Sequence, residues 1–129
     1  MRFLIDTHAL IWFITGDSRL SITARQLIET PENERLVSIV SLWEIALKMS
    51  LGKLSMGATF DQLIPQQLLE NNITLLPIEI PHLYQLVQLP FHHRDPFDRL
   101  LIAQGISDGL PLISRDPVFD AYPVQRLWE

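Results

Sequence analysis

The chain has no cysteine among its 129 residues. That excludes disulfide bridges, thiolate zinc sites and a thiol nucleophile, and it fits a reducing compartment. Long apolar runs are missing as well. The longest, Ala9–Ile14, is six residues, far short of the ~20 that a membrane helix needs. Asp6 interrupts the N-terminal apolar stretch, so the opening does not read as a signal peptide. Basic charge is scarce: 10 Lys and Arg against 15 Asp and Glu leave a net charge of −5. A protein that coats nucleic acid through a broad basic face is thereby disfavoured. Nucleic-acid chemistry is not excluded, because a metal site must concentrate carboxylates.

Several signature motifs are absent too. There is no G-x-G-x-x-G dinucleotide fingerprint and no G-x-S-x-G nucleophile elbow. Gly52 and Gly57 have the separation of a phosphate loop, but Ala58-Thr59 follows where Lys-Ser/Thr is needed. The histidines are His8, His82, His92 and His93, and none forms an H-x-x-x-H pair. Adjacent His92 and His93 point apart in regular structure. The four are expected at surface or supporting positions rather than as zinc ligands.

What is present is a folding chain, with 47% hydrophobic and 19% charged residues and a mean hydropathy of +0.16. The length fits a single domain over residues 1–129. By size scaling, about two-thirds of the unfolded surface is buried, enough for a core without metal or disulfide staples. Arg2–Ile5, Leu36–Val40, Ile73–Ile78, Leu110–Ser114 and Val124–Trp128 are short apolar runs that read as strands. Between them, Ser21–Thr30, Ser41–Leu51, Phe60–Asn71, Ile80–Leu89 and Asp95–Ser107 read as helices, with Pro65 a kink or early break. Thr7–Ile14 is a helix or a loop, and Asp116–Tyr122 a turn or short helix. Asp95 at the N-cap with Pro96 at the first helical position makes the Asp95–Ser107 helix the clearest. Strands alternating with helices imply an α/β domain with a mostly parallel sheet of about five strands. In such sheets, ligands bind beyond the carboxyl ends of the strands.

Acids stand at those ends. Asp6 follows the first strand, Glu44 lies one turn into the helix after the second, and Asp116 follows the fourth. Asp95 and Asp98 open the helix that feeds strand four. Simple winding does not bring Asp98 to the same edge unless the preceding connection carries the chain around. Each acid also has a purely structural reading. Ser41-Leu42-Trp43-Glu44 has the form of a capping box, Asp95 and Asp98 suit a helix start, and Asp116-Pro117 suits a turn. Together they fit a site for Mg²⁺ or Mn²⁺, hard cations that prefer carboxylate oxygens and activate water toward phosphodiesters. Setting these five acids aside leaves the chain neutral.

Four blocks then carry a resemblance. Met1-Arg2-Phe3-Leu4-Ile5-Asp6-Thr7 with His8-Ala9-Leu10-Ile11-Trp12 resembles the opening of PIN-domain proteins. Ser41-Leu42-Trp43-Glu44-Ile45-Ala46-Leu47-Lys48 is similar to the second block. Asp95-Pro96-Phe97-Asp98-Arg99-Leu100-Leu101-Ile102-Ala103-Gln104 is similar to the third, and Leu112-Ile113-Ser114-Arg115-Asp116 to the fourth. Order, spacing and length resemble VapC-type toxins of type II toxin–antitoxin pairs, across essentially the whole chain. The resemblance implies a three-layer PIN-like domain in which Asp98 reaches the pocket of Asp6.

It further implies a cytoplasmic, Mg²⁺- or Mn²⁺-dependent endoribonuclease, a homodimer neutralised by a cognate antitoxin, with no membrane association. Asp6, Glu44, Asp98 and Asp116 carry over as catalytic and metal-site acids. Asp95 is assigned mainly to capping. Thr7, Ser41 and Ser114 stand beside the acids, where they can hold water on the metal, and Lys48, Arg99 and Arg115 are candidates for RNA phosphates. Trp12, Phe13, Trp43 and Leu47 are bulky apolar residues near the acid motifs. At least half are expected in the core, and any exposed ones would form a groove for an amphipathic antitoxin segment. The alternatives are a PIN-fold nuclease acting on DNA or in RNA maturation, and a non-catalytic PIN-fold binding module. A receiver-like signalling domain lacks its second acid near strand one and its late lysine.

Overall fold

In the computed structural model, which describes residues 1–129, five short strands form one sheet. In chain order the elements are β1 (Arg2–Ile5), α1 (Thr7–Thr15), α2 (Ile22–Glu29), β2 (Glu34–Ser38), α3 (Ile39–Ser50), α4 (Phe60–Glu70), β3 (Thr74–Leu76), α5 (Ile80–Gln88), α6 (Pro96–Asp108), β4 (Leu112–Ile113), a 3₁₀ turn (Pro117–Ala121) and β5 (Arg126–Leu127). The sheet order is β3-β2-β1-β4-β5, and all four pairings are parallel. β1 is central, with Ile5 in register with Val37 on one side and Ile113 on the other.

Strand alternation explains the three layers. Phe3, Ile5, Val37 and Ile113 face one way and pack with α1, α2, Ile45 of α3 and Ile64 of α4. Leu4, Leu36 and Leu112 face the other way and pack with Leu100–Ala103 of α6 and with Phe119. Both faces are covered, so the strands read as apolar runs rather than alternating ones. No helix is long and apolar enough to cross a membrane.

The β2–α3 junction differs from the sequence reading. β2 ends at Ser38, and α3 begins at once with Ile39. Ile39 and Val40 are β-branched and favour strands, but packing overrides that preference. The cap is Ser38, whose Oγ accepts the Val40 N–H at 3.0 Å. Ser41 and Glu44 therefore do not form a capping box; both already lie inside the helix. α4 also runs through Pro65 to Glu70 without breaking.

Between β3 and β4 the chain makes a double crossing. His82, near the start of α5, lies 3.1 Å from Asp108, the last residue of α6. Arg99, in the first turn of α6, donates to the carbonyls of Leu89 and Pro90, just past the end of α5. These contacts make α5 and α6 antiparallel, so α5 is the connection that carries the chain around. α6 consequently starts at the carboxyl edge of the sheet, the edge where Asp6 sits. His82 is a buried strut between the helices, at 1% exposure, not a surface histidine.

α6 also explains its own glycine. A Cβ on Gly105 would lie 3.1 Å from the Leu110 carbonyl oxygen and 2.9 Å from Leu112 Cδ1. In an exposed helix, Gly→Ala gains about 1 kcal/mol. Here overpacking wins, and Gly105→Ala is expected to lower stability by about 1–3 kcal/mol. Thermal and urea unfolding measure this; an unchanged or higher midpoint would refute the close approach of α6 to β4.

Candidate active site

The four acids arrive from four different elements. Asp6 ends β1 and caps α1, its Oδ1 accepting the Ala9 N–H at 2.8 Å. It is 4% exposed. Glu44 projects from the second turn of α3 and is 2% exposed. Its Oε2 lies 2.6 Å from Lys48 Nζ, one turn on, while its Oε1 is buried with no hydrogen-bond partner. Asp98 stands in the first turn of α6 with a largely covered side chain. Asp116 caps the 3₁₀ turn, Oδ1 accepting the Val118 N–H at 3.0 Å, and is exposed.

Smaller groups brace these positions. Thr7 Oγ1 donates to Ser41 Oγ at 3.0 Å, and both residues are buried, fastening α1 to α3 between Asp6 and Glu44. Ser114 Oγ accepts the Asp116 N–H at 3.1 Å and shapes that turn. Asp95 caps α6, its Oδ1 accepting the N–H groups of Phe97 and Asp98 at 2.9 and 3.1 Å.

The electrostatics show that the acids share one field. Burial, followed by the negative charges of Asp95, Asp6, Glu44 and Asp116, pushes the Asp98 carboxyl up to about 8. Burial pushes Asp6 up to about 6, against the lowering pull of the Ser114 hydroxyl and the Ala9 N–H. His93 Nε2 lies 3.6 Å from Asp98 Oδ2, too far for a hydrogen bond, and does not offset the burial.

The donor set suits a hard divalent cation. It is all oxygen, carries excess negative charge, and includes an orphaned buried carboxylate oxygen on Glu44. No three His, Asp or Glu side chains close into a complete cage. Mg²⁺ can be held by as few as one or two protein carboxylates, the remaining positions going to water and substrate.

Beside the acids opens a cleft of about 380 Å³, lined by Asp6, His8, Trp12, Arg19, Arg115 and Asp116 among others. Arg115 is exposed and makes no ion pair, whereas Arg19 is held by Asp17 at 2.7 Å. Glu44 and Asp98 lie outside this lining, so the cleft brings together two of the four acids. Two of the proposed phosphate contacts are placed differently from expectation. Arg99 is 4% exposed, and its guanidinium is engaged by the Leu89 and Pro90 carbonyls and the Tyr122 hydroxyl. It is a strut for the α5–α6 loop and has no open face for RNA. Lys48 is drawn onto Glu44. Of the bulky residues, Trp12 is buried and Phe13 partly so, while Trp43 and Leu47 are 57% and 39% exposed.

Sequence reasoning missed His8, Arg19 and His93 as neighbours of the acids. Adjacency to Asp6 was a signal for His8. No local pattern brings Arg19 or His93 to this edge.

The raised carboxyls predict a pH dependence of stability in EDTA. The folded protein holds the Asp6 and Asp98 protons more tightly than the unfolded chain, whose carboxyls titrate near 3.8. Stability therefore falls as pH rises from about 4 and levels off above about 8. Asp98→Asn is expected to flatten the upper part of that fall and to raise the thermal midpoint at alkaline pH. Identical pH profiles for the two proteins would contradict the shared field.

Comparison with known proteins agrees with this architecture. The PIN domain family profile matches residues 3–125. A search of characterised protein sequences found no significant match. Among solved structures, VapBC2 from Rickettsia felis, bound to a DNA fragment from its promoter, aligns with a TM-score of 0.76 at 14% identity, covering 100% of both chains. DNA-bound VapBC from Salmonella typhimurium aligns at 0.72 and 16% identity, covering 98% of this chain and 97% of that one. VapBC-1 from nontypeable Haemophilus influenzae aligns at 0.69 and 16% identity, with coverage of 98% and 97%. With the family profile spanning nearly every element from β1 to the approach to β5, this chain belongs to the PIN-domain family.

Proposed function

We propose that the chain is a Mg²⁺- or Mn²⁺-dependent endoribonuclease and the toxin of a toxin–antitoxin pair. The observation that carries the nuclease reading is the crowded, mutually repelling group of buried Asp6, buried Glu44 and half-buried Asp98, gathered from three elements with only Lys48 as an ion-pair partner of full positive charge. Membership in a family whose domains are generally nucleases supports it. The similarity in fold to VapBC complexes supports the toxin reading.

Asp6, Glu44, Asp98 and Asp116 would hold the metal. Bound there, it would acidify a water for attack on phosphorus and stabilise charge on the phosphate oxygens. Asp6 is prepared for this role, since its Oδ1 is fixed by the Ala9 N–H and its direction is set by β1. Lys48 neutralises part of the Glu44 charge and, being part-exposed, can swing aside when a cation takes its place. Arg115, on the rim of the cleft, supplies a point charge for a neighbouring RNA phosphate. Thr7, Ser41 and Ser114 keep the acids in place rather than touching substrate.

The antitoxin surface we assign is the outer face of α3. Trp43 stacks edge-on against Phe97 at 4.9 Å, and Leu47 and Leu51 continue an exposed apolar strip beside Glu44 and Asp98. An amphipathic helix can lie there and extend a basic side chain toward the acids. For the homodimer, α5 offers Ile80, Leu83, Tyr84 and Val87, an exposed stripe at i, i+3, i+4 and i+7.

Purified protein incubated with structured RNA and with single-stranded DNA tests the function. We expect RNA cleavage in Mg²⁺ or Mn²⁺ and none in EDTA; cleavage that survives chelation would sink the metal mechanism. Glu44→Gln is expected to reduce cleavage by ~100-fold or more, while Asp95→Asn, which preserves a good N-cap, keeps most of it. A fully active Glu44→Gln protein would remove Glu44 from the site.

A further inference from the structure

We propose that His93 is the positioning residue for Asp98, presenting an Nε2–H toward one carboxylate oxygen in a tautomer that Tyr122 dictates. The inference rests on the metal-site reading above and adds to it a residue outside the four acids.

Tyr122 is 4% exposed, and its hydroxyl oxygen is surrounded by donors. The backbone N–H groups of His92 and His93 reach it at 3.2 Å each, and Arg99 Nη1 at 3.3 Å. None of these can accept a hydrogen bond. The phenol has one hydrogen to donate, and His93 Nδ1 stands 2.8 Å away. Nδ1 is therefore the acceptor nitrogen, and the imidazole proton resides on Nε2.

That Nε2 is buried and has no hydrogen-bond partner. Its nearest carboxylate oxygen is Asp98 Oδ2, 3.6 Å away. The other charges acting on Asp98 are all carboxylates: Asp95, Asp6, Glu44 and Asp116. His93 brings an N–H to a carboxyl otherwise surrounded by like charge. The ring is also well anchored. It packs edge-on against Tyr122 at 5.5 Å, and Arg99 ties the loop to α6 through the Leu89 and Pro90 carbonyls.

An approach of roughly 0.7–0.9 Å would turn the open contact into a charge-assisted hydrogen bond of normal length. His93 then fixes which Asp98 oxygen faces the metal, as outer-shell partners of ligating carboxylates do. The roles divide along the chain: Tyr122 sets the tautomer, His93 aims the donor, and Asp98 receives it.

Two readouts test this without measuring RNA cleavage. In the metal-free protein, long-range ¹H–¹⁵N spectra should show His93 protonated on Nε2 and bare on Nδ1; the opposite tautomer overturns the proposal. Titration with Mn²⁺ should show affinity ~10–100-fold weaker in His93→Phe, which keeps a ring but no donor. His93→Gln places an N–H near the Nε2 position and should recover most of the affinity. His93→Asn can still accept from Tyr122 but cannot reach Asp98, and should remain weak. A purely structural role for His93 predicts the reverse order for Gln and Asn. Equal Mn²⁺ affinity in wild type and His93→Phe overturns the role of His93 alone. A wild-type protein that binds no Mn²⁺ overturns the metal reading itself.

Discussion

Asp6, Glu44 and Asp98 are three carboxyl groups held largely out of water at one edge of the sheet. A carboxylate in that position has lost its hydration and gained repulsive neighbours, and the protein returns little to it. Asp6 receives the Ser114 hydroxyl and one backbone N–H, Glu44 one lysine, and Asp98 a histidine nitrogen just beyond hydrogen-bond reach. The stability to hold them comes from elsewhere, from a sheet packed on both faces. A domain of this size can bear a costly cluster because most of its buried residues are apolar and pack on both faces of the sheet. The carboxyl groups that repel one another at this edge are the ones we propose to hold a divalent cation, and both follow from their crowding.

The route of the chain between β3 and β4 decides whether such a cluster exists. A single crossover helix would need no return path. Here α5 and α6 lie antiparallel, pinned at one end by His82 and Asp108 and at the other by Arg99 on the Leu89 and Pro90 carbonyls. Arg99 is one residue from Asp98, so the strut and the acid share a helical turn. Tyr122, from the far end of the chain, completes the same junction. Packing that supports α6 and geometry that aims Asp98 are thus parts of one structure.

The four acids divide between two sides of this edge. Glu44 is buried and Asp98 half-buried beside the apolar strip of α3, while Asp6 and Asp116 line the space shared with His8, Arg19 and Arg115. The cations on that second side, Arg19 and Arg115, are not paired with the acids, whereas on the first side Lys48 is bound to Glu44. In a chain of net charge −5, local cations next to a carboxylate cluster are what the proposed RNA substrate would meet in place of a broad basic face.

Much of this was legible in residue order. The apolar runs marked five strands because both faces of a parallel sheet are buried, and Asp95-Pro96 marked the start of α6 because a cap and a proline have local, fixed requirements. The four acids stood out for the same reason: each follows a strand or opens a helix at a defined offset. The β2–α3 boundary was misplaced, since Ile39 and Val40 favour a strand until the helix they begin finds its packing. Arg99 looked like a surface cation and is a buried strut, because its acceptors are carbonyls nine and ten positions away, released by the end of another helix. Trp12 and Trp43 look alike in sequence, yet one is buried and the other exposed. His93 gains its meaning from Tyr122, 29 positions on. Sequence determines what depends on neighbours along the chain: periodicity, caps, turns and the identity of the acids. Tertiary structure decides burial, partnership and aim, because those depend on which distant segments the packed sheet brings within a few ångströms.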